Sequence, residues 1–385
     1  MMNELMKPYP GEDEISFAKR KAYFYRFVKP RLEYGWRDSI EKKSEHLKPI
    51  TADEKREIDA FWGQFLAPAI RERFIDYLFY DFYNSVRKSD ERLCCYLPDS
   101  FHQPFIDDYF TNPQHSFPCD DKNMYDLYFH DVNRPVTVFH KYNGLFHDKN
   151  YVRISLAEAV RKAKDCGEVI LKKGKFSMGG KGITFWNAET DDVSKLSEFL
   201  LDSDAVVCQE LIKQHESTAK INPSSVNTLR IMTLLFNDDI HVLSSVFRMG
   251  VNGSRVDNAS SGGIVCGVNP SGRLKDLAFT PSGHKFMKHP GGMSFEDVII
   301  PCYEKCVNLA VSLAGRFSNL SRLISWDMAI DQSGHPMLIE FNLTVGEMDF
   351  HQLCNGPLYG DMTEDVLTEV FKNSYTLNSI LKSLL

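Results

Sequence analysis

Apolar residues recur at three- and four-residue steps between Phe17 and about Val86, as in Ile58, Phe61, Trp62, Phe65 and then Phe74, Tyr77, Leu78, Phe82. That spacing keeps one side of a helix apolar and predicts an all-helical front section. Between Leu97 and Asn150 the prolines Pro98, Pro104, Pro113, Pro118 and Pro135 break up short aromatic runs, so loops with a few strands are expected, for example Val136 to His140. From Ser155 the period changes again. Helices are expected at Leu156 to Lys164 and Val193 to Leu201, with strands at Glu168 to Lys172, Ala205 to Gln209, Thr228 to Leu235, His241 to Met249, Ile324 to Ile330 and Met337 to Phe341. Strands alternating with helices and hairpins make this part an α/β or α+β domain, joined to the front section near residues 111–122.

The chain's 385 residues leave room for two or three packed units. A composition of 43% hydrophobic and 25% charged residues excludes wholesale disorder, collagen-like repeats and coiled-coil rods. The net charge of -7 argues against a surface built for phosphate backbones, so nucleic acid is not an expected partner. No apolar stretch reaches the roughly 18 residues of a membrane span, and the first residues lack a signal-peptide pattern, which points to a cytoplasmic protein. Nine scattered cysteines without a CxxC pair and twelve dispersed histidines predict reduced core thiols and no zinc site. The stretch from Phe17 to Arg31 interleaves Lys19, Arg20, Lys21, Arg26, Lys29 and Arg31 with five aromatic residues and no acid. It reads as a helix with one solvated basic face, the alternative being peripheral contact with an anionic membrane or a protein partner.

Two segments carry chemistry. The first runs from Glu168 to Ile183: a strand ending in Lys172 and Lys173, a glycine-rich loop with Ser177, Gly179, Gly180 and Lys181, and a second strand. Glycines let backbone amides approach phosphate closely, and a lysine supplies a compact charge. The loop is not a Walker A motif, since Lys181 is followed by glycine and then by a strand, and GxGxxG is absent. The second segment, Ile324 to Asn342, reads as a β-hairpin around Asp331-Gln-Ser-Gly334. With the turn centred between Ser333 and Gly334, Asp327 faces Glu340, and Asn342 projects from the same face. Two opposed carboxylates repel, so a cation is expected between them; two acids and an amide suit magnesium.

In this order the two segments resemble the ATP-grasp superfamily, in which a lysine-bearing strand and a mobile glycine loop form a lid and an Asp with a later Glu-x-Asn holds magnesium. The resemblance covers about residues 118–360 and implies an ATP-grasp fold of class α+β: two α+β subdomains clasping ATP, after a mainly helical N-terminal section. The implied division is 1–117, 118–215 for the lid, and 216–385 for the catalytic, Mg-binding part. Asp121-Lys122 is similar to the Asp-Lys that opens the lid region and contacts nucleotide phosphates. Cys208-Gln209-Glu210-Leu211-Ile212 is similar to the interdomain hinge that takes adenine. The spellings Val226-Asn-Thr-Leu-Arg-Ile231, Phe247-Arg-Met-Gly250 and Val256-Asp-Asn-Ala-Ser-Ser-Gly-Gly-Ile264 resemble the narrower sugar-transfer-associated branch.

The chain departs from the pattern in three places: Lys173 stands where a proline often follows the strand lysine, Glu216 is a poor ribose ligand, and Ser325 and Trp326 occupy positions where several amide-forming members carry an arginine. The resemblance therefore implies ATP and Mg²⁺ as cofactors, with Asp327, Glu340 and Asn342 on the metal. It places Lys122, Lys172 (favoured over Lys173) and the loop on phosphate, Gln209 to Ile212 on adenine, and Arg230, Arg248 and Asn258 on the reacting groups. The implied activity is ADP-forming ligation of small-molecule carboxylates to amines, sugar-linked in surface polysaccharide biosynthesis. A kinase using the same ATP site, or a nucleotide-binding partner of a glycosyltransferase, is the alternative. Asp349, His351 and Gln352 lie where they could reach substrate.

Overall fold

The computed structural model describes residues 13–23, 46–68, 71–72, 75–111, 116, 119, 121–174, 182–344, 346–374 and 377–378. The loop residues Ser177, Gly179, Gly180 and Lys181 lie outside the described residues, as does the basic aromatic stretch beyond Tyr23. Helices of eight residues or more are numbered in chain order.

The front section is helical, as its periodicity requires: α1 (Glu14–Tyr23), α2 (Ala52–Gly63) and α3 (Tyr77–Asn84). A capping box starts α2, with Thr51 Oγ1 accepting from the Glu54 N–H and Glu54 accepting from the Thr51 N–H at 2.7 Å. Trp62 Nε1 donates to the Tyr80 hydroxyl at 2.6 Å, satisfying a polar atom inside the aromatic core.

A first, six-stranded sheet follows, made of β1 (Thr137–Tyr142), β2 (Leu145–Asp148), β3 (Arg153–Ile154), β4 (Glu168–Lys173), β5 (Ile183–Asn187) and β6 (Val206–Glu210). Its order is β3-β2-β1-β6-β4-β5. Two helices, α4 (Leu156–Cys166) and α5 (Val193–Asp202), bury Ala159, Ala163, Leu196 and Leu200 against Val169, Leu171 and Val206 in a small core of its own.

After β6 the chain crosses to a second sheet of seven strands: β7 (Thr228–Phe236), β8 (Asp239–Met249), β9 (Ile264–Val268), β10 (Leu274–Phe279), β11 (Lys285–Phe286), β12 (Leu323–Ile330) and β13 (Pro336–Asn342). The order is β11-β10-β9-β8-β7-β12-β13, with antiparallel neighbours throughout. Side chains alternate between two cores. Leu229, Ile231, Ile324 and Trp326 pack on one face with α6 (Tyr303–Phe317). Met232, Leu234 and Val246 face the front section, α7 (Met348–Asn355) and α8 (Thr363–Asn373) in one continuous core. The chain thus adopts the expected α+β class with a helical section before the strands. No helix among the described residues is long and apolar enough to cross a membrane.

The β12–β13 hairpin has the expected pairing by an unexpected route. Ile330 pairs with Pro336 and Met328 with Leu338, which centres the turn on Ser333, half a residue earlier than its sequence suggests. An irregularity at Ile339 then shifts the ladder, so that Asp327 lies opposite Glu340 and Ser325 opposite Asn342.

Candidate active site

Strand β7 lies beside β12, and Arg230 pairs directly with Asp327. Arg230 occupies the inward alternation that Met232 and Leu234 fill with apolar side chains, so its guanidinium is buried and needs an anion. Its Nε donates to Asp327 Oδ1 at 2.6 Å and its Nη2 to Oδ2 at 2.7 Å. Nη1 reaches Glu347, the residue before α7. Arg248, on the same face of β8, donates from Nη1 to Asp327 Oδ2 at 3.1 Å and from Nη2 to Asn258 Oδ1. Burial alone would raise the Asp327 carboxyl, but Arg230 and Arg248 outweigh it and hold the group below the ordinary carboxylate value. Asp257, to which Thr228 donates, shows the opposite balance: burial raises it despite Arg248.

A second charge cluster faces the first sheet. Lys122 Nζ lies 2.6 Å from Glu340 Oε1. The turn carrying it is capped by Asp121, which accepts from the Asn123 N–H at 3.0 Å, and the Lys122 N–H donates to Gly174 O at 2.9 Å. A Cβ on Gly174 would stand 2.6 Å from Asn123 Nδ2, so a glycine is needed where β4 meets this turn. Lys172, partly buried, shares the cluster: burial lowers its ammonium to about 8, with Lys122 and Arg134 adding to the effect and Glu340 partly opposing it. Lys173 projects from the other face of β4 and is exposed.

Asp327, Glu340 and Asn342 share one face of the hairpin, and their hard oxygens suit magnesium, which keeps several waters and shares substrate phosphates. The expected cation between the opposed carboxylates is met here by side chains, since Arg230 and Arg248 serve Asp327 and Lys122 serves Glu340. Among the described residues no three His, Cys, Asp or Glu side chains gather as a metal group.

Gln209 is buried within β6, Glu210 at its end is exposed, and Leu211 and Ile212 are partly buried at the start of the crossover between the sheets. That crossover is docked on the hairpin: Gln214 bridges Asp331, and the His215 N–H donates to Ile330 O at 2.9 Å. His351 is buried and bonded through Nδ1 to Ser244 at 2.8 Å, and both ends of the Gln352 amide are taken by Leu97. Sequence reasoning missed Glu347 and Arg134, which lie where no periodicity marks them, and gave no role to Asp257, although it stands inside the Val256 to Ile264 spelling beside Asn258.

The family model for sugar-transfer associated ATP-grasp proteins matches residues 105–366. The chain belongs to that family. Solved structures similar to this ATP-grasp protein include D-alanyl-alanine synthetase A from Vibrio cholerae, with 12% identity over 69% of this chain and 67% of that one, at a TM-score of 0.43. The biotin carboxylase domain of the Hydrogenobacter thermophilus 2-oxoglutarate carboxylase, in complex with MgADP, ADP and bicarbonate, shares 12% identity over 66% of this chain and 46% of its own, TM-score 0.40. The ATP-grasp ligase PsnB with minimal precursor shares 14% identity over 68% and 63%, TM-score 0.38. The chain thus spans less than two thirds of two of these three structures. No curated protein matches it. In this ATP-grasp protein Ser325 stands two residues before Asp327, and the guanidiniums around that acid come instead from β7 and β8.

Proposed function

We propose that the protein is an ATP-dependent, ADP-forming carboxylate-amine ligase. The observation that carries this reading is the convergence of Arg230 and Arg248 on Asp327, across the hairpin from the Lys122–Glu340 pair, at the junction of the two sheets. Joining a carboxylate to ATP brings several anions together, and a site for it must neutralise and align them.

A carboxylate oxygen attacks the γ-phosphorus of ATP, and the bond from that phosphorus to the ADP oxygen breaks. An amine nitrogen then attacks the carbonyl carbon of the acyl phosphate; phosphate leaves with the bonding pair, and the nitrogen gives up a proton. Lys122 and Lys172 neutralise the nucleotide phosphates, and the amides around Ser177, Gly179, Gly180 and Lys181 close over them. Gln209, Glu210, Leu211 and Ile212 take adenine. Arg230 and Arg248, whose forks rest on Asp327 here, would turn them to the acyl phosphate as it forms, with Asn258 holding Arg248. Asp327, Glu340 and Asn342 would hold magnesium, which would supply charge neutralisation on the phosphates in place of the side-chain cations that serve the two carboxylates here. Residues 118–215 act as lid and residues 216–385 as the catalytic part.

We take the acceptor to be a carboxylated sugar or sugar precursor to which an amino acid or amine is added during surface polysaccharide assembly; what supports a sugar is the family's association with sugar transfer. The basic residues between 17 and 31 suit a cytoplasmic enzyme that touches a membrane or a glycosyltransferase. The test is ADP release with panels of carboxylates and amines, followed by mass spectrometry of the product. Condensation with loss of water supports ligation, whereas a product heavier by phosphate alone makes the protein a kinase.

A further inference from the structure

A cavity of about 490 Å³ opens between the end of α7 and β10. In the sheet β10 is four strands from β12, about 19 Å at the usual strand spacing of about 4.8 Å. The cavity therefore lies apart from the nucleotide site. Leu277, Phe279 and Leu353 give it an apolar floor, and Lys88, Arg273 and Lys275 line it. None of these three cations forms an ion pair among the described residues. Asp276 and Glu296 also border the cavity; Arg273 Nη1 donates to the Glu296 main-chain carbonyl, but neither carboxylate forms an ion pair with the three cations among the described residues.

Lys275 is the telling residue. It is partly buried, and its ammonium donates to the main-chain oxygen of Cys354, near the end of α7, at 3.1 Å. No carboxylate pairs with it among the described residues, the nearby Glu91 acting on it only at longer range. Burial lowers this ammonium and the charge of nearby Lys88 adds to the effect, while Cys354 and Glu91 only partly oppose it. Its stem is accommodated by a glycine: a Cβ on Gly267 would lie 2.9 Å from Lys275 Cδ and 3.0 Å from Cys354 O. A desolvated lysine laid over a glycine, facing a second lysine, is a costly arrangement unless an anion joins it.

We propose that this cavity is a binding site for a small organic anion, in which Lys88, Arg273 and Lys275 hold a phosphoryl or carboxyl group and the apolar floor takes the body of the molecule. Two lysines and an arginine offer point charges and a planar fork, which both oxyanions accept. A cavity of this size suits a monosaccharide-sized ligand. The proposal does not depend on the ligase reading.

The test is calorimetric titration of the full-length protein, at constant ionic strength and with the nucleotide site saturated, using inorganic phosphate in one arm and glucuronate in the other. Saturable binding of phosphate alone assigns a phosphoryl ligand; binding of glucuronate alone assigns a carboxyl ligand; binding of both supports the shared chemistry. In each case Lys88→Gln and Lys275→Met should weaken binding about tenfold, the loss of one charged hydrogen bond, while ATP affinity stays within about twofold. Lys88 is exposed, so its replacement leaves folding intact. Absence of saturable binding in both arms, or binding that both variants retain, overturns the proposal.

Discussion

Both carboxylate oxygens of Asp327 accept from the guanidinium of Arg230, at 2.6 and 2.7 Å, inside the protein. Seen in sequence alone, Asp327 and Glu340 are equivalent metal ligands, and neutralising either should spare the fold. The structure separates them. Asp327→Asn strips the anion from two buried guanidiniums and should cost about 3 kcal/mol or more of stability. The carboxylate of Glu340 is 27% exposed and its partner Lys122 13%, so Glu340→Gln should cost about 1 kcal/mol at most. Urea unfolding of the two variants beside the wild type measures the difference. Equal stabilities would show that the arginine cluster is not what holds Asp327. Both variants should lose turnover.

The adjacent lysines of β4 should differ as sharply. Lys172 lies in the Lys122–Glu340 cluster, and Lys173 is exposed on the opposite face. Lys172→Ala should weaken ATP binding about tenfold or more, as expected for a lost charged contact, whereas Lys173→Ala should stay within about twofold. Nucleotide titration by calorimetry reads both. A greater loss in the Lys173 variant would transfer the phosphate contact to that residue.

A pH dependence follows from the same residue. Lys172 carries an ammonium lowered to about 8 from an ordinary 10.5, chiefly by burial. Phosphate bound beside it favours the charged form, so ATP binding takes up a proton above pH 8. Affinity should be flat below pH 7 and fall about tenfold between pH 7 and pH 9. For the free protein the sign is the reverse: between pH 8 and 10.5 the unfolded chain binds a proton that the folded chain has released, so this group adds stability as pH rises. Lys172→Arg, charged throughout this range, should flatten the affinity profile. A wild-type profile level from pH 7 to 9 would remove Lys172 from the phosphate site.

What the sequence discloses and what it hides divide along physical lines. Strands such as β7 and β12, and helix α4 with its Ser155–Glu158 capping box, are specified by neighbours along the chain and are legible there. The Asp327–Glu340 pairing is legible only because two irregularities offset each other, the turn centred on Ser333 and the shifted ladder at Ile339. β9 is apolar on both faces and therefore lacks the alternation that marks a strand. The contacts that make the site are hidden for a different reason. Arg230 and Asp327 are 97 residues apart, and Lys122 and Glu340 are 218 apart, so nothing local announces either pair.

The front section offers the last contrast, because its periodicity shows that it is helical but not what it covers. Gln352 on α7, fully buried, accepts the Leu97 N–H at 2.9 Å and donates to the Leu97 carbonyl at 3.0 Å, so one side chain satisfies both main-chain groups where the section ends. Trp62, Tyr80 and Phe101 then share a single core with Met232 and Val246 of the large sheet and with Leu353 of α7. Arg230 and Arg248 lie on that same sheet face, so the front section backs the layer that carries the charge cluster. Gln352→Ala leaves two buried backbone groups unpaired and should cost about 3 kcal/mol. The front section and the large sheet should lose structure together rather than in separate steps, because no boundary divides the core they share. For the same reason a chain beginning at residue 105 should neither fold cooperatively nor bind ATP, as circular dichroism and nucleotide titration would register. A truncated chain that did both would show the helices to be a dispensable cover rather than half of the core on which the site is built.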